Sequence, residues 1–248
     1  MTLLKVQALS KSFGGIHAVD GCSFALEKGN ITALIGPNGA GKTTAFNLIS
    51  GLLKPDSGKI MFEGENIANL QPHQITRKGI GRTFQISRDL MDMTLLENLI
   101  VQAPTRGIRD LFNRSMLQSE RERAMDLLDF VGITHLVDEK AKNLSYGQKK
   151  LMEFAAALMA EPKLILLDEP AGGINPALLD RIIERIQHVN RQGVTFLIVE
   201  HNMDVVMNLC DPVIVMAYGK VLAQGPPDII QNDEVVLKAY LGEEVTCS

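Results

Sequence analysis

Apolar residues in this chain occur in two rhythms. Near the start, LLKVQAL (3–9) and CSFALEKG (22–29) alternate or cluster apolar positions beside turn residues, which predicts strands of an N-terminal antiparallel sheet. NITALIG (30–36), PKLILLDEP (162–170) and GVTFLIVEHN (193–202) are short continuous apolar runs, each bounded by Gly, Pro or charge. Such runs suit strands covered on both faces of a parallel sheet. Between the last two lies PALLDRIIERIQHVNRQ (176–192), with helical spacing. SGKIMFEGENI (57–67) and DPVIVMAYGKVLAQG (211–225) read as hairpins, and PPDIIQNDEVVLKAYLG as a helical tail.

From Ser87 to Leu144 the rhythm is helical only, as in TLLENLIV and SERERAMDLLDFVG. The predicted organisation is therefore an α/β core of residues 1–86 and 162–248. It carries an antiparallel β-subdomain and a C-terminal tail, with a helical lobe inserted at 87–161. Strand–helix–strand alternation implies a mainly parallel sheet covered by helices.

Composition changes little in this picture. An apolar share of 46% and 248 residues permit a sizeable core. The net charge of −4 lacks the basic excess of a nucleic-acid footprint, so no nucleic-acid partner is expected. Cys22, Cys210 and Cys247 have neither zinc nor disulfide spacing, which suits a reducing compartment. The opening residues mix charge early and predict no signal peptide. No apolar run approaches the ~18 residues of a membrane span, so work at a membrane would need a second protein to hold the chain there.

GPNGAGKTT (36–44) fits G-x-x-x-x-G-K-[ST] between a predicted strand and a predicted helix, the context this phosphate loop requires. Its four fixed positions would match by chance in roughly one such chain in a hundred. Gly36, Gly39 and Gly41, with Pro37, Asn38 and Ala40 between them, let the backbone wrap so that N–H groups meet phosphate oxygens. Lys42 reaches the β- and γ-phosphates, the Thr43 hydroxyl can ligate Mg²⁺, and Thr44 continues the loop into its helix. LILLDEP ends a buried strand on Asp168 and Glu169, at the sheet edge where ligands bind in open α/β folds. Asp168 suits the Mg²⁺ shell and Glu169 the polarisation of an attacking water.

These motifs occur in order with LSYGQ (144–148) and VEHN (199–202). Over nearly its whole length the chain resembles the nucleotide-binding subunit of an ABC transporter. LSKSFGGIHAVDG, GIGRTFQ, LSYGQ, DEPAGGINP and AYLGEE make it similar to the ATPases of branched-chain or hydrophobic amino-acid importers.

The resemblance implies a P-loop NTPase core and an ATPase using ATP and Mg²⁺. It implies that Phe13 stacks on adenine, that Gln85 contacts Mg²⁺ or the attacking water, and that His201 contacts the γ-phosphate. It implies a head-to-tail dimer, with itself or a related ATPase subunit, in which Ser145, Tyr146, Gly147 and Gln148 meet ATP held by the partner's phosphate loop. Membrane permease subunits and, indirectly, a substrate-binding protein complete the assembly at the cytoplasmic face of the inner membrane. Two positions depart from the family's usual residues: Tyr146, where many relatives have glycine, and Asn175, where aspartate is common.

Ser145 and Gln148 fit the S-x-x-Q capping box, which makes the loop a helix N-terminus with free N–H groups. Gly147 is the expected point of close approach to phosphate. The Tyr146 side chain is expected to point away from it, at the rim. Leu90, Met91, Met93, Leu95 and Leu96 supply more apolar surface than one helix face needs, and some of them could line a groove for a short helix of a membrane subunit. The alternatives are an ABC exporter ATPase for lipid or lipopolysaccharide, with similar size and tail, and a soluble non-transport ABC ATPase. DNA-repair relatives carry long coiled-coil insertions, and this chain has no sustained heptads.

Overall fold

A computed structural model describes residues 1–83, 90–103 and 114–241. Two sheets organise them. The antiparallel sheet contains β1 (Thr2–Phe13), β2 (Ile16–Glu27), β4 (Ser57–Phe62) and β5 (Glu65–Asn66), in the order β2-β1-β4-β5. Both long strands extend further than the apolar pattern predicts. Their distal ends, around Lys11, Ser12, Ile16 and His17, are half-buried or exposed and leave no apolar signature.

The second sheet contains β3 (Ile31–Ile35), β6 (Ile80–Arg82), β7 (Leu164–Asp168), β8 (Thr195–Val199), β9 (Val213–Ala217) and β10 (Lys220–Gly225). Its order is β10-β9-β3-β8-β7-β6, parallel throughout except for the β9–β10 hairpin. β3, β8 and β9 are buried at every position, which is why they read as unbroken apolar runs. The short edge strand β6 and the preceding helix α2 (Pro72–Arg77) escaped the sequence pattern. Three residues are too few to establish a period of two.

Successive residues of the central strands feed two cores. Leu34, Leu166, Leu197 and Ile214 pack with Phe46 and Ile49 of α1 (Lys42–Ile49) and with the antiparallel sheet. Ala33, Ile165, Phe196 and Val213 face a second core. That core is continuous through α3 (Leu95–Ile100), α4 (Arg114–Val131), α5 (Tyr146–Met159) and α6 (Pro176–Arg191). Burying a large side chain such as Phe46 or Phe196 contributes about 2–3 kcal/mol. Leu95 and Leu96 belong to this interior and cannot line a groove, and Met91 packs against it. Leu90 and Met93 are half-buried, and Val101 is 55% exposed. Helices α7 (Met203–Leu209), α8 (Pro227–Gln231) and α9 (Glu234–Leu241) close the chain.

Candidate functional site

The phosphate loop leaves β3 and enters α1 at the carboxyl edge of the parallel sheet. Two of its glycines are required by the chain's own packing. A Cβ at Gly36 would run into the Met216 carbonyl of β9, and one at Gly41 into the Ala18 carbonyl of β2. Asn38, Gly39 and Thr43 form the exposed crest, Pro37 and Thr44 are half-buried, and Ala40 is buried beneath. Lys42 is only 6% exposed, and its ammonium donates to the carbonyls of Gly36 (2.7 Å) and Pro37 (3.0 Å). Burial lowers its pKa, while Glu169 and Asp168 pull it back up.

β7 delivers Asp168 and Glu169 to the same edge. Thr43, Arg82, Thr83, Tyr146, Lys150, Glu153, Asp168 and Glu169 line one cavity of about 350 Å³. Arg82, which the sequence reading left without a role, projects from β6. Its guanidinium donates to Asn47 Oδ1 (2.7 Å) and Ser50 Oγ (2.8 Å) and lies 3.5 Å from Asp168 Oδ2. Burial lowers the Arg82 pKa, and Asp168 opposes that shift.

Glu169 has a left-handed backbone (φ 47°), and its N–H donates to the Val199 carbonyl at 2.9 Å. Non-glycine residues seldom adopt this conformation, and it is characteristic of functional turns. The Glu169 carboxyl meets His201 Nε2 at 3.0 Å. Two residues expected to act on the terminal phosphate and on water are thus brought together, although they come from different strands.

The loop at 145 forms as the sequence predicts. Ser145 N–H donates to Gln148 Oε1 (2.8 Å) and Gln148 N–H to Ser145 Oγ (3.3 Å), closing the capping box of α5. Gly147 has a reason for its small size inside the chain: a Cβ there would meet Leu178 at the start of α6. Tyr146 is 54% exposed. Its ring packs on the loop after the acids, where a Cβ at Gly173 would lie 3.1 Å from Tyr146 Cε1. Lys150 Nζ sits 5.6 Å from the centre of that ring and donates to the Glu169 carbonyl at 3.2 Å. The tyrosine therefore lies against its own chain's acidic loop and in the wall of the cavity. Asn175 caps α6, its Oδ1 accepting from Leu178 N–H at 2.9 Å.

Phe13 lies at the tip of the β1–β2 hairpin, 46% exposed, with Lys11 Nζ 5.6 Å from its ring centre. It is not among the residues lining the cavity. Gln85 lies outside the described residues. The sequence reading also passed over Glu200. This acid is 3% exposed and accepts three backbone N–H groups. Its place directly after an apolar strand is its one sequence signal, and a surface acid would share it.

Known proteins are similar to this chain in sequence and in fold. The ABC transporter family profile matches residues 19–172. A profile described as branched-chain amino acid ATP-binding cassette transporter matches residues 220–246. The chain is 44% identical over 255 residues to the "Probable branched-chain amino acid transport ATP-binding protein LivG" of Archaeoglobus fulgidus, covering 100% of this chain and 99% of that one. It is 38% identical to the high-affinity branched-chain amino acid transport ATP-binding protein BraF of Pseudomonas aeruginosa, covering 97% and 98%. The crystal structure of a nucleotide-free ATP-binding cassette from an ABC transporter superposes with a TM-score of 0.87 at 38% identity, over 98% of this chain and 100% of that one. The ADP conformation of such a cassette gives 0.86 at 38% identity, over 98% and 100%. This chain therefore belongs to the ATP-binding subunits of ABC transporters and is similar to those of branched-chain amino acid transport.

Proposed function

We propose that this protein is the ATP-hydrolysing motor subunit of an ABC importer for branched-chain or related hydrophobic amino acids. The observation that carries the chemistry is the convergence of Thr43, Asp168 and Glu169 on one cavity, with His201 3.0 Å from Glu169. The cargo assignment rests on the relatives.

In this reading the N–H groups of residues 38–44 and the Lys42 ammonium hold the β- and γ-phosphates, and Phe13 stacks on adenine. Lys42 exchanges its two carbonyl partners for phosphate oxygens. Glu169 orients and polarises the water that attacks the γ-phosphorus; the bond to the β,γ-bridging oxygen breaks, and ADP leaves. His201 donates to the γ-phosphate and steadies Glu169.

The donor set fits Mg²⁺: the Thr43 hydroxyl and Asp168 carboxylate are hard oxygen ligands on one cavity, and Gln85 would add an amide oxygen. Among the described residues no three His, Cys, Asp or Glu side chains cluster to cage a metal, so phosphates and water would complete the shell. When bound, the ion neutralises charge on the β- and γ-phosphates.

Ser145, Tyr146, Gly147 and Gln148 at the α5 N-terminus would close on ATP held by a second, like subunit, in a head-to-tail homodimer or heterodimer. Closure shifts the permease between states, because ATP favours the closed dimer and hydrolysis removes that preference. Among the described residues no helix is long and apolar enough to cross a membrane. The subunit would sit on permease subunits at the cytoplasmic face, with the helical lobe (87–161) carrying their motion.

The test is Glu169→Gln. ATP turnover should fall by about 10²-fold or more, with ATP affinity kept and an ATP-dependent dimer appearing in light scattering. Undiminished turnover would remove Glu169 from the chemistry.

A further inference from the structure

Among the described residues Glu200 is the one buried carboxyl, and it is not among the residues that line the cavity. One oxygen, Oε1, accepts the N–H of Ala171 at 2.7 Å. The other, Oε2, accepts the N–H groups of His201 (2.8 Å) and Asn202 (3.0 Å). Burying a carboxyl away from water is costly unless hydrogen bonds replace hydration, and here three donors converge on it. The donors belong to two loops that meet nowhere else in sequence. Ala171 stands two residues after Glu169, in the loop that Tyr146 braces. His201 and Asn202 form the turn between β8 and α7, and Asn202 Oδ1 in turn caps α7 through Val205 N–H at 3.3 Å. The Glu200 charge is felt nearby: burial, and after it Glu200, push the Cys210 thiol up to about 12.

We propose that Glu200 is a positioning residue that clamps the loop after the acids to the histidine turn, holding His201 in register with Glu169. The 3.0 Å pairing of His201 Nε2 with Glu169 Oε1 needs both backbones fixed, and Glu200 is the side chain bonded to both loops. A displacement of residues 171–175 then moves His201 through a single carboxyl group. The inference rests on the reading of His201 as a residue of the hydrolytic site.

Glu200→Gln tests it. The amide must turn its NH₂ toward N–H groups at one end, so one loop is released. ATP turnover should fall about tenfold or more, while KM for ATP stays within about twofold. The same substitution placed on His201→Ala should cost less than about twofold, because the group it positions is gone. An unchanged kcat in Glu200→Gln, or a loss equally large on His201→Ala, overturns the proposal. If His201→Ala alone leaves kcat intact, the site reading itself fails, which is a separate result. Should Glu200→Gln fail to bind ATP, Glu200→Asp carries the test. It keeps the carboxyl but is one methylene too short to hold both loops, so kcat should again fall with KM retained. Full turnover in that variant equally refutes the clamp.

Discussion

Tyr146 shows how a residue's meaning depends on what it touches. In LSYGQ it reads as a departure from the family's usual glycine, with its side chain expected at the rim of the loop. In the structure its ring covers Gly173 and lies beneath Lys150, which also holds the Glu169 carbonyl. The aromatic and the glycine-rich AGGIN loop are thus complementary: the ring fills space that a side chain at 173 would take. Because the N–H groups expected to meet phosphate come from the backbone, Tyr146→Gly should keep ATPase activity within several-fold in a steady-state assay. Gly147→Asp should abolish it, since the new side chain meets Leu178 and puts negative charge beside phosphate. A silent Gly147→Asp variant would remove the α5 N-terminus from the site.

At the scale of elements, caps define the helical lobe. Thr94 and Glu97 close a capping box on α3: Thr94 N–H donates to Glu97 Oε2 at 2.8 Å, and Glu97 N–H to Thr94 Oγ1 at 3.2 Å. Thr94→Ala should cost about 1 kcal/mol in denaturant unfolding and leave ATP affinity unchanged. The Thr94 N–H, and then the Thr94 hydroxyl, hold the Glu97 carboxyl below its ordinary value of 4.5. A carboxyl depressed in the folded state stabilises above its unfolded value and loses that contribution as pH falls through the folded one. The gap between wild type and Thr94→Ala should therefore narrow below about pH 4.5. A gap that widens in acid would mean that Glu97 does not hold the cap.

At the scale of the molecule, one core joins the sheet face to the helical lobe, so force applied to the lobe reaches the nucleotide edge through packed side chains. Val101 is an exposed apolar residue at the carboxyl end of α3. Val101→Glu should leave the ATPase activity of the isolated subunit unchanged and reduce permease-coupled transport in proteoliposomes. Full transport in that variant would place the docking surface elsewhere.

Features whose physics is local are legible in the chain alone. Continuous apolar runs specify buried parallel strands. Glycines at fixed spacing before Lys42 specify the phosphate loop, and Ser145 with Gln148 specifies a capped helix start. Each depends on residues a few positions apart. The rest depends on how distant segments pack. Strand β6 is three residues long and is recognised by its pairing with β7, which brings Arg82 to Asp168. Leu95 and Leu96 looked available for docking until α4 and α5 covered them. Glu200 follows a strand as a surface acid would, yet its three donors come from two loops, one of them 29 residues away. Burial and long-range hydrogen bonding depend on which distant segments arrive at the same place, and no local pattern in the chain encodes that meeting.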